Sequence, residues 1–191
     1  MSTIDREGNI VSLIQSLSSH FGSGFVPPHT GFPLHNRGAG FSLKPGTPNS
    51  LAPRKRPLHT IIPGFMQKDG VRIGFGIMGG WNQAQAHAQF VSNIVDFGMN
   101  LQAAIDALRF TKLSFGGCDV SVESRIPQAV REALGRMGHQ IKVTTPFSES
   151  MGRGQAVMRD AHDVNYAGSD PRGDGSAVPQ GPPVFTERKG R

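Results

Sequence analysis

Two adjacent glycines, Gly79 and Gly80, stand where an apolar stretch gives way to a helical pattern. Residues 73–78 are apolar or glycine, and residues 83–97 carry Ala, Gln, His and aliphatic side chains at helical spacing. Glycine lets a backbone approach a ligand closely and takes conformations closed to other residues. The first N–H groups of a helix have no partner inside it, so two of them can converge on one point. Such a point favours negative charge, either a bound anion or the oxyanion formed in acyl transfer. The same pair also makes a plain tight turn, and the glycines alone do not decide between these readings.

A site of this kind needs walls. Residues 21–57 show no periodicity and are dense in Gly and Pro. A connection this long in a compact domain is usually functional or disordered. The apolar side chains Phe21, Phe25, Val26, Phe32, Leu34, Phe41 and Leu43 predict an ordered loop packed on the body, with Asn36, Arg37, His59 and Thr60 facing a pocket.

The elements that must position these residues are legible by pattern. Residues 2–17 predict a hairpin turning at Asp5-Arg6-Glu7-Gly8-Asn9, with Ser16 and Ser18 at the far end of its second strand. Residues 59–67 and 71–78 predict a second hairpin about Asp69-Gly70. Helices are expected over 83–97, 101–108 and 127–137. Gly98 suits the first helix's end, Asn100 the second's N-cap, and Pro127 and Gly138 the limits of the third. Short strands are expected at 109–113, 119–123, 140–144, 154–159 and 163–167, and a polar loop at 168–175. Residues 1–178 read as one α/β unit of the α+β kind and 179–191 as a disordered tail.

Composition narrows the classes. The chain has 191 residues, enough for one domain with a real core, and a formal charge of +6. Its basic residues are scattered, the densest run being Arg54-Lys55-Arg56. With one Tyr and one Trp and no nucleic-acid motif, the reading is no nucleic acid. The single Cys118 excludes an intramolecular disulfide and a cysteine metal cage, and seven scattered His predict no metal and no cofactor. No apolar run reaches the roughly 18 residues of a membrane span. No signal peptide is read at the N-terminus, which leaves a cytoplasmic or a periplasmic location open.

Several strings occur in one order: Asp5-Arg6-Glu7-Gly8-Asn9-Ile10-Val11-Ser12-Leu13, Phe21-Gly22-Ser23-Gly24, Leu34-His35-Asn36-Arg37-Gly38, Lys55-Arg56-Pro57-Leu58-His59-Thr60-Ile61-Ile62-Pro63 and Met78-Gly79-Gly80. Val95-Asp96-Phe97-Gly98-Met99-Asn100 and Gly168-Ser169-Asp170-Pro171-Arg172-Gly173-Asp174-Gly175 extend the set. Together they resemble the small subunit of gamma-glutamyltranspeptidases, over nearly the whole chain. The resemblance implies an N-terminal-nucleophile hydrolase fold, a four-layer αββα sandwich of mostly antiparallel sheets. It implies a precursor that cuts itself in two, a heterodimer with a large subunit, and an N-terminal threonine as nucleophile with its own α-amine as base. The acyl-enzyme is resolved by water or an amine, and the oxyanion hole carries over to Gly79 and Gly80.

The sequence also departs from the family pattern. The family's small subunit opens with Thr-Thr, an aromatic residue or His, an apolar residue, Ser, an aliphatic pair and Asp. Met1, Ser2 and Asp5 fall on the later positions, so the nucleophile is expected just upstream of Met1 and the isolated chain is expected to be inactive. Were Met1 trimmed, Ser2 would present an N-terminal hydroxyl, displaced from the oxyanion hole. Ser16 takes the place of the threonine that supports the nucleophile. Ser18 stands where a substrate-binding Asn or Ser sits, and His59-Thr60 where a Ser-Ser pair binds the substrate carboxylate. Arg37 replaces a Gln or Glu, and Gly40 replaces the acidic residue that holds a substrate ammonium. The pattern is similar to a divergent branch with oxamate amidohydrolase and cephalosporin-acylase-like members, acting on a small amide or gamma-glutamyl substrate. The alternative is an inactive remnant or an assembly partner. His87 with Gln83, Gln85 and Gln89 reads as capping or packing, and an ion pair is expected to pin the Asp170-Pro171-Arg172 loop.

Overall fold

The computed structural model describes residues 1–112, 114 and 116–181. Leu113 of the expected 109–113 strand and residues 182–191 of the expected tail lie outside the described residues.

The fold is built around one strand. Hairpin β1 (Ser2–Ile4) and β2 (Ile10–Ser12) leads into the long loop, which holds a 3-10 turn at Arg37–Gly40. Then come β3 (Gly64–Lys68), β4 (Val71–Met78), α1 (Asn82–Val95) and α2 (Leu101–Asp106). The chain continues through β5 (Phe110–Thr111), β6 (Asp119–Glu123), α3 (Gln128–Arg136) and β7 (Gln140–Thr144) to β8 (Arg153–Arg159) and β9 (Asn165–Ser169). The main sheet is antiparallel in the order β3-β4-β8-β9. A smaller sheet runs β5-β6-β7, with β6 and β7 parallel. The expected mixed α/β architecture with mostly antiparallel sheets is borne out.

Strand β4 has two different faces because strand side chains alternate. Ile73, Phe75 and Ile77 are buried against α1 and α2, where they join Phe90, Leu101 and Ile105 in the core. Gly74 and Gly76 face the β1–β2 hairpin. A Cβ on Gly74 would run into Ile10 Cγ2, and one on Gly76 would stand 3.0 Å from Ile14 Cδ1. The hairpin therefore seats directly on the sheet, giving hairpin, sheet and helices in three successive layers.

Element ends differ from expectation in explicable ways. Strand β3 starts at Gly64 and not at 59, since Pro63 has no N–H to pair and Ile62 N–H donates to Gln83 Oε1 (3.2 Å) in place of a strand partner. Helix α2 stops at Asp106 and not 108. Its last carbonyls are taken by arginines: Ile105 O by Arg109 and Arg172, Asp106 O by Arg125, and Ala107 O by Arg172. Asn100 does cap α2, accepting from Ala103 N–H at 2.9 Å.

The long loop departs most. No residue from 9 to 63 is buried, and Phe21, Phe25, Phe32 and Leu43 are 80, 58, 56 and 85 % exposed. The expectation that these side chains pack on the body is corrected. The hairpin layer is only two strands wide and offers them no surface, and the loop holds its shape by backbone bonds such as Ser23 N to Leu34 O (2.8 Å) and Leu34 N to Phe25 O (2.9 Å).

Candidate active-site cleft

The hairpin is fixed to the sheet by two hydroxyls. Ser12 Oγ donates to Phe75 O on β4 (2.7 Å), and Ser2 Oγ donates to Gln155 O on β8 (3.2 Å). The start of β1 and the end of β2 thus reach the edge of the sheet where β4 ends and β8 begins. A cleft of about 710 Å³ opens there, lined by Met1, Ser16, Ser18, Asn36, Arg37, Thr60, Gly79, Gly80, Trp81, Gln83, Arg153, Gln155 and Asp174 among others.

Gly79 and Gly80 form its floor. Their φ values are 145 and 60, a combination that side chains oppose. Their carbonyls enter the first turn of α1, accepting from Asn82 N (3.1 Å) and Gln83 N (3.2 Å). Their own N–H groups have no hydrogen-bond partner among the described residues. Two free donors at the start of a 14-residue helix suit an anionic oxygen.

One wall comes from the loop. Ser16 Oγ accepts from Arg37 Nη2 and from Ser18 N–H (3.2 Å), so its own proton remains to donate. Asn36 joins the two segments, accepting from Ser19 N–H and donating to Ser19 Oγ, both at 3.0 Å. Arg37 has no carboxylate partner among the described residues. Thr60 lines the cleft, whereas His59 is exposed, accepts from Ile61 N–H on Nδ1 (3.2 Å) and is not among the lining residues. Ser2 is committed to Gln155 and does not line it either.

Behind the floor lies a cluster that pattern reading only touched. Arg172 grips Glu123 with two bonds of 2.7 Å and reaches Asp170 at 3.1 Å, and Arg109 meets Asp170 at 2.8 Å. All four residues are buried. Asp170 Oδ2 also accepts from Gly154 N–H (2.7 Å), and Arg109 Nη1 donates to Gly152 O (2.9 Å), which fixes the start of β8 beside Gly79. The ion pair expected in the Asp170–Arg172 loop is present, whereas the sequence pattern marks Arg109 and Glu123 only as strand residues. Their side chains meet through the sheet, and no spacing in the chain announces that. Burial raises the Glu123 carboxyl, and the bonds and charge of Arg172 outweigh it and hold the group below the usual carboxylate range. Burial lowers Arg109, ahead of the raising effect of Asp170.

The polar face of α1 has structural partners. His87 Nε2 accepts from Ile77 N–H (2.9 Å). Burial, and then the charge of Arg109, lowers its pKa, so the neutral ring is favoured. Gln85 pairs with both backbone groups of Lys112, and Gln89 does the same with Phe110. These two amides stand in for a neighbouring strand along β5. Among the described residues, no group of three or more His, Cys, Asp or Glu could hold a metal ion, and no helix is long and apolar enough to cross a membrane.

The fold is that of the N-terminal-nucleophile hydrolases, and it sets an open pair of glycine donors at the start of a helix beside a hairpin end. The gamma-glutamyltranspeptidase family model matches residues 1–180, and the chain belongs to that family. It is 37 % identical over 181 residues to the glutathione hydrolase-like YwrD proenzyme of Bacillus subtilis, and 36 % identical over 182 residues to the oxamate amidohydrolase proenzyme of Klebsiella pneumoniae. Each match covers 93 % of this chain and 34 % of the relative, so the chain spans about a third of their length. Cephalosporin acylase from Bacillus halodurans superposes with a TM-score of 0.87 at 46 % identity, covering 94 % of this chain and 34 % of that one. A highly active mutant of gamma-glutamyltranspeptidase from Pseudomonas nitroreducens does so at 0.82 and 28 %, covering 95 % of this chain and 98 % of that one.

Proposed function

We propose that this chain is the small-subunit portion of an amidohydrolase or acyltransferase that works through an acyl-enzyme on a threonine encoded upstream of Met1. One observation carries the reading. Strands β1 and β2 pair Ser2 with Ser12 and Ile4 with Ile10, and Leu13 N–H reaches Met1 O. Continuing that register by three residues sets the third position before Met1 opposite Ser16. In the family's opening string that position is the first threonine. Its hydroxyl would lie beside the Ser16 proton donor, in the cleft floored by Gly79 and Gly80.

The chemistry follows from those groups. The threonine oxygen attacks the amide carbon while the chain's new α-amine accepts its proton. The negative carbonyl oxygen receives the Gly79 and Gly80 N–H groups. The C–N bond breaks, the proton passes to the leaving amine, and water or a second amine resolves the ester. For recognition, Arg37 offers a guanidinium fork and Gly40 offers no carboxylate. We infer an acyl group that carries its own carboxylate and lacks the α-ammonium of a glutamyl group. Ser18, Thr60 and Asn36 shape that wall, and His59 contributes only if a partner chain turns its exposed side chain inward.

The uncovered apolar side chains of the long loop support a large subunit of the same precursor as partner. The test is to express the chain with the sequence encoded ahead of Met1. Self-cleavage into two chains, with a new N-terminal threonine three positions before Met1, is the expected result. A stop codon or another residue at that position would instead establish the non-catalytic remnant. Under the present reading, the chain starting at Met1 releases no nitroaniline from an acyl 4-nitroanilide.

A further inference from the structure

Asn82 opens α1 directly after the diglycine turn. Its residue is 1 % exposed, yet neither Oδ1 nor Nδ2 has a hydrogen-bond partner among the described residues. No other described side chain leaves two buried polar atoms in that state. A buried, unpartnered amide disfavours the folded state, so its retention calls for a reason outside stability.

Its position supplies one. Strands β4 and β8 pair from Arg72–Arg159 to Met78–Arg153, and Gly79 and Gly152 occupy the next positions, where the strands part. A Cβ on Gly79 would lie 3.5 Å from both Cβ and Nδ2 of Asn82, and a Cβ on Gly152 would lie 3.2 Å from Nδ2. The Asn82 amide therefore packs beside both glycines, next to the turn. A hydrogen-bonded amide spends its dipole on its partner. An unpartnered one in a dry setting projects its field onto its neighbours, and the positive Nδ2 end here adjoins Gly79.

We propose that Asn82 is a positioning residue that acts through the diglycine turn, raising the positive potential at the Gly79 and Gly80 N–H groups and so favouring an anionic oxygen bound there. The proposal rests on reading the cleft as an acyl-transfer site.

The test uses the self-cleaved protein expressed with the sequence encoded ahead of Met1, as wild type, Asn82→Leu and Asn82→Asp. Leucine keeps nearly the same volume without a dipole, and aspartate sets a negative group under the turn. Three quantities are read: Tm, affinity for succinate by calorimetry, and the acylation burst on succinyl 4-nitroanilide. Asn82→Leu is expected to raise Tm by about 2–4 °C, to weaken succinate about 5-fold and to slow acylation about 10-fold. Asn82→Asp is expected to lower Tm and to weaken both functions further. A plain packing role, or an amide satisfied by buried water, gives a Tm for Asn82→Leu at or below wild type and overturns the proposal. So does equal succinate affinity in wild type and Asn82→Leu, or no binding by wild type. If wild type binds succinate in the expected order but releases no nitroaniline, the acyl-transfer reading falls while the role of Asn82 at an anion-binding turn stands.

Discussion

Arg172 and Arg37 carry the same guanidinium group in opposite circumstances. Arg172 has a fully buried side chain and two carboxylates, with helix carbonyls taking its remaining donors. Arg37 lies half-buried in the cleft wall, and among the described residues its side chain has only the Ser16 hydroxyl as partner. The first region completes itself within this chain. The second is left open toward the cleft. Self-sufficiency marks the scaffold here, and unfinished bonding marks the site.

The contrast can be broken or sharpened by substitution. Glu123→Ala removes the main partner of a buried Arg172 and is expected to cost about 3–5 kcal/mol, read by chemical denaturation. A loss below 1 kcal/mol would mean that the cluster is not the scaffold described. Gly74→Ala drives a methyl into Ile10 and is expected to cost about 1–3 kcal/mol and to loosen the hairpin, seen as faster amide exchange at Ser12. Arg37→Gln should leave stability within about 0.5 kcal/mol, as for most surface changes. On an acyl substrate bearing a carboxylate it should lower kcat/KM at least about 10-fold, roughly 1.4 kcal/mol. An unchanged kcat/KM would return Arg37 to the status of a solvated loop charge.

The smallest expected effect concerns pH. The His87 pKa is lowered in the fold, so the unfolded chain binds the proton more readily. Stability from this group is fully present above the unfolded value near 6.5 and declines as pH falls toward the lowered folded value. Glu123, also lowered, adds a separate loss that starts near and below the unfolded carboxylate range. His87→Gln should flatten the first decline and leave the second. A wild-type stability curve without slope below pH 6.5 would remove the assignment.

How much was legible in the sequence depends on whether the signal was local. The hairpin turn at Asp5–Asn9, the Asn100 cap and the strand-to-helix change at Gly79-Gly80 were readable because turn residues and periodicity act within a few positions. The extra length given to β3 and α2 came from neighbours distant in sequence, since Gln83 takes Ile62 N–H and three arginines take the carbonyls of residues 105–107. The family was readable because seven ordered strings matched it, and the site followed by resemblance more than by pattern.

By itself the sequence determined the order of elements, the family and the pair of glycines at the turn into α1, because these depend on residue type and short spacing. Tertiary structure decided which residues meet. It closed Arg109, Glu123, Asp170 and Arg172 into one buried cluster, left the aromatic side chains of the loop uncovered and kept His59 out of the cleft. It also set the unpartnered Asn82 amide beneath Gly79. Contacts of that kind join positions far apart in the chain, and burial sets their energies, so spacing along the chain carries no trace of them.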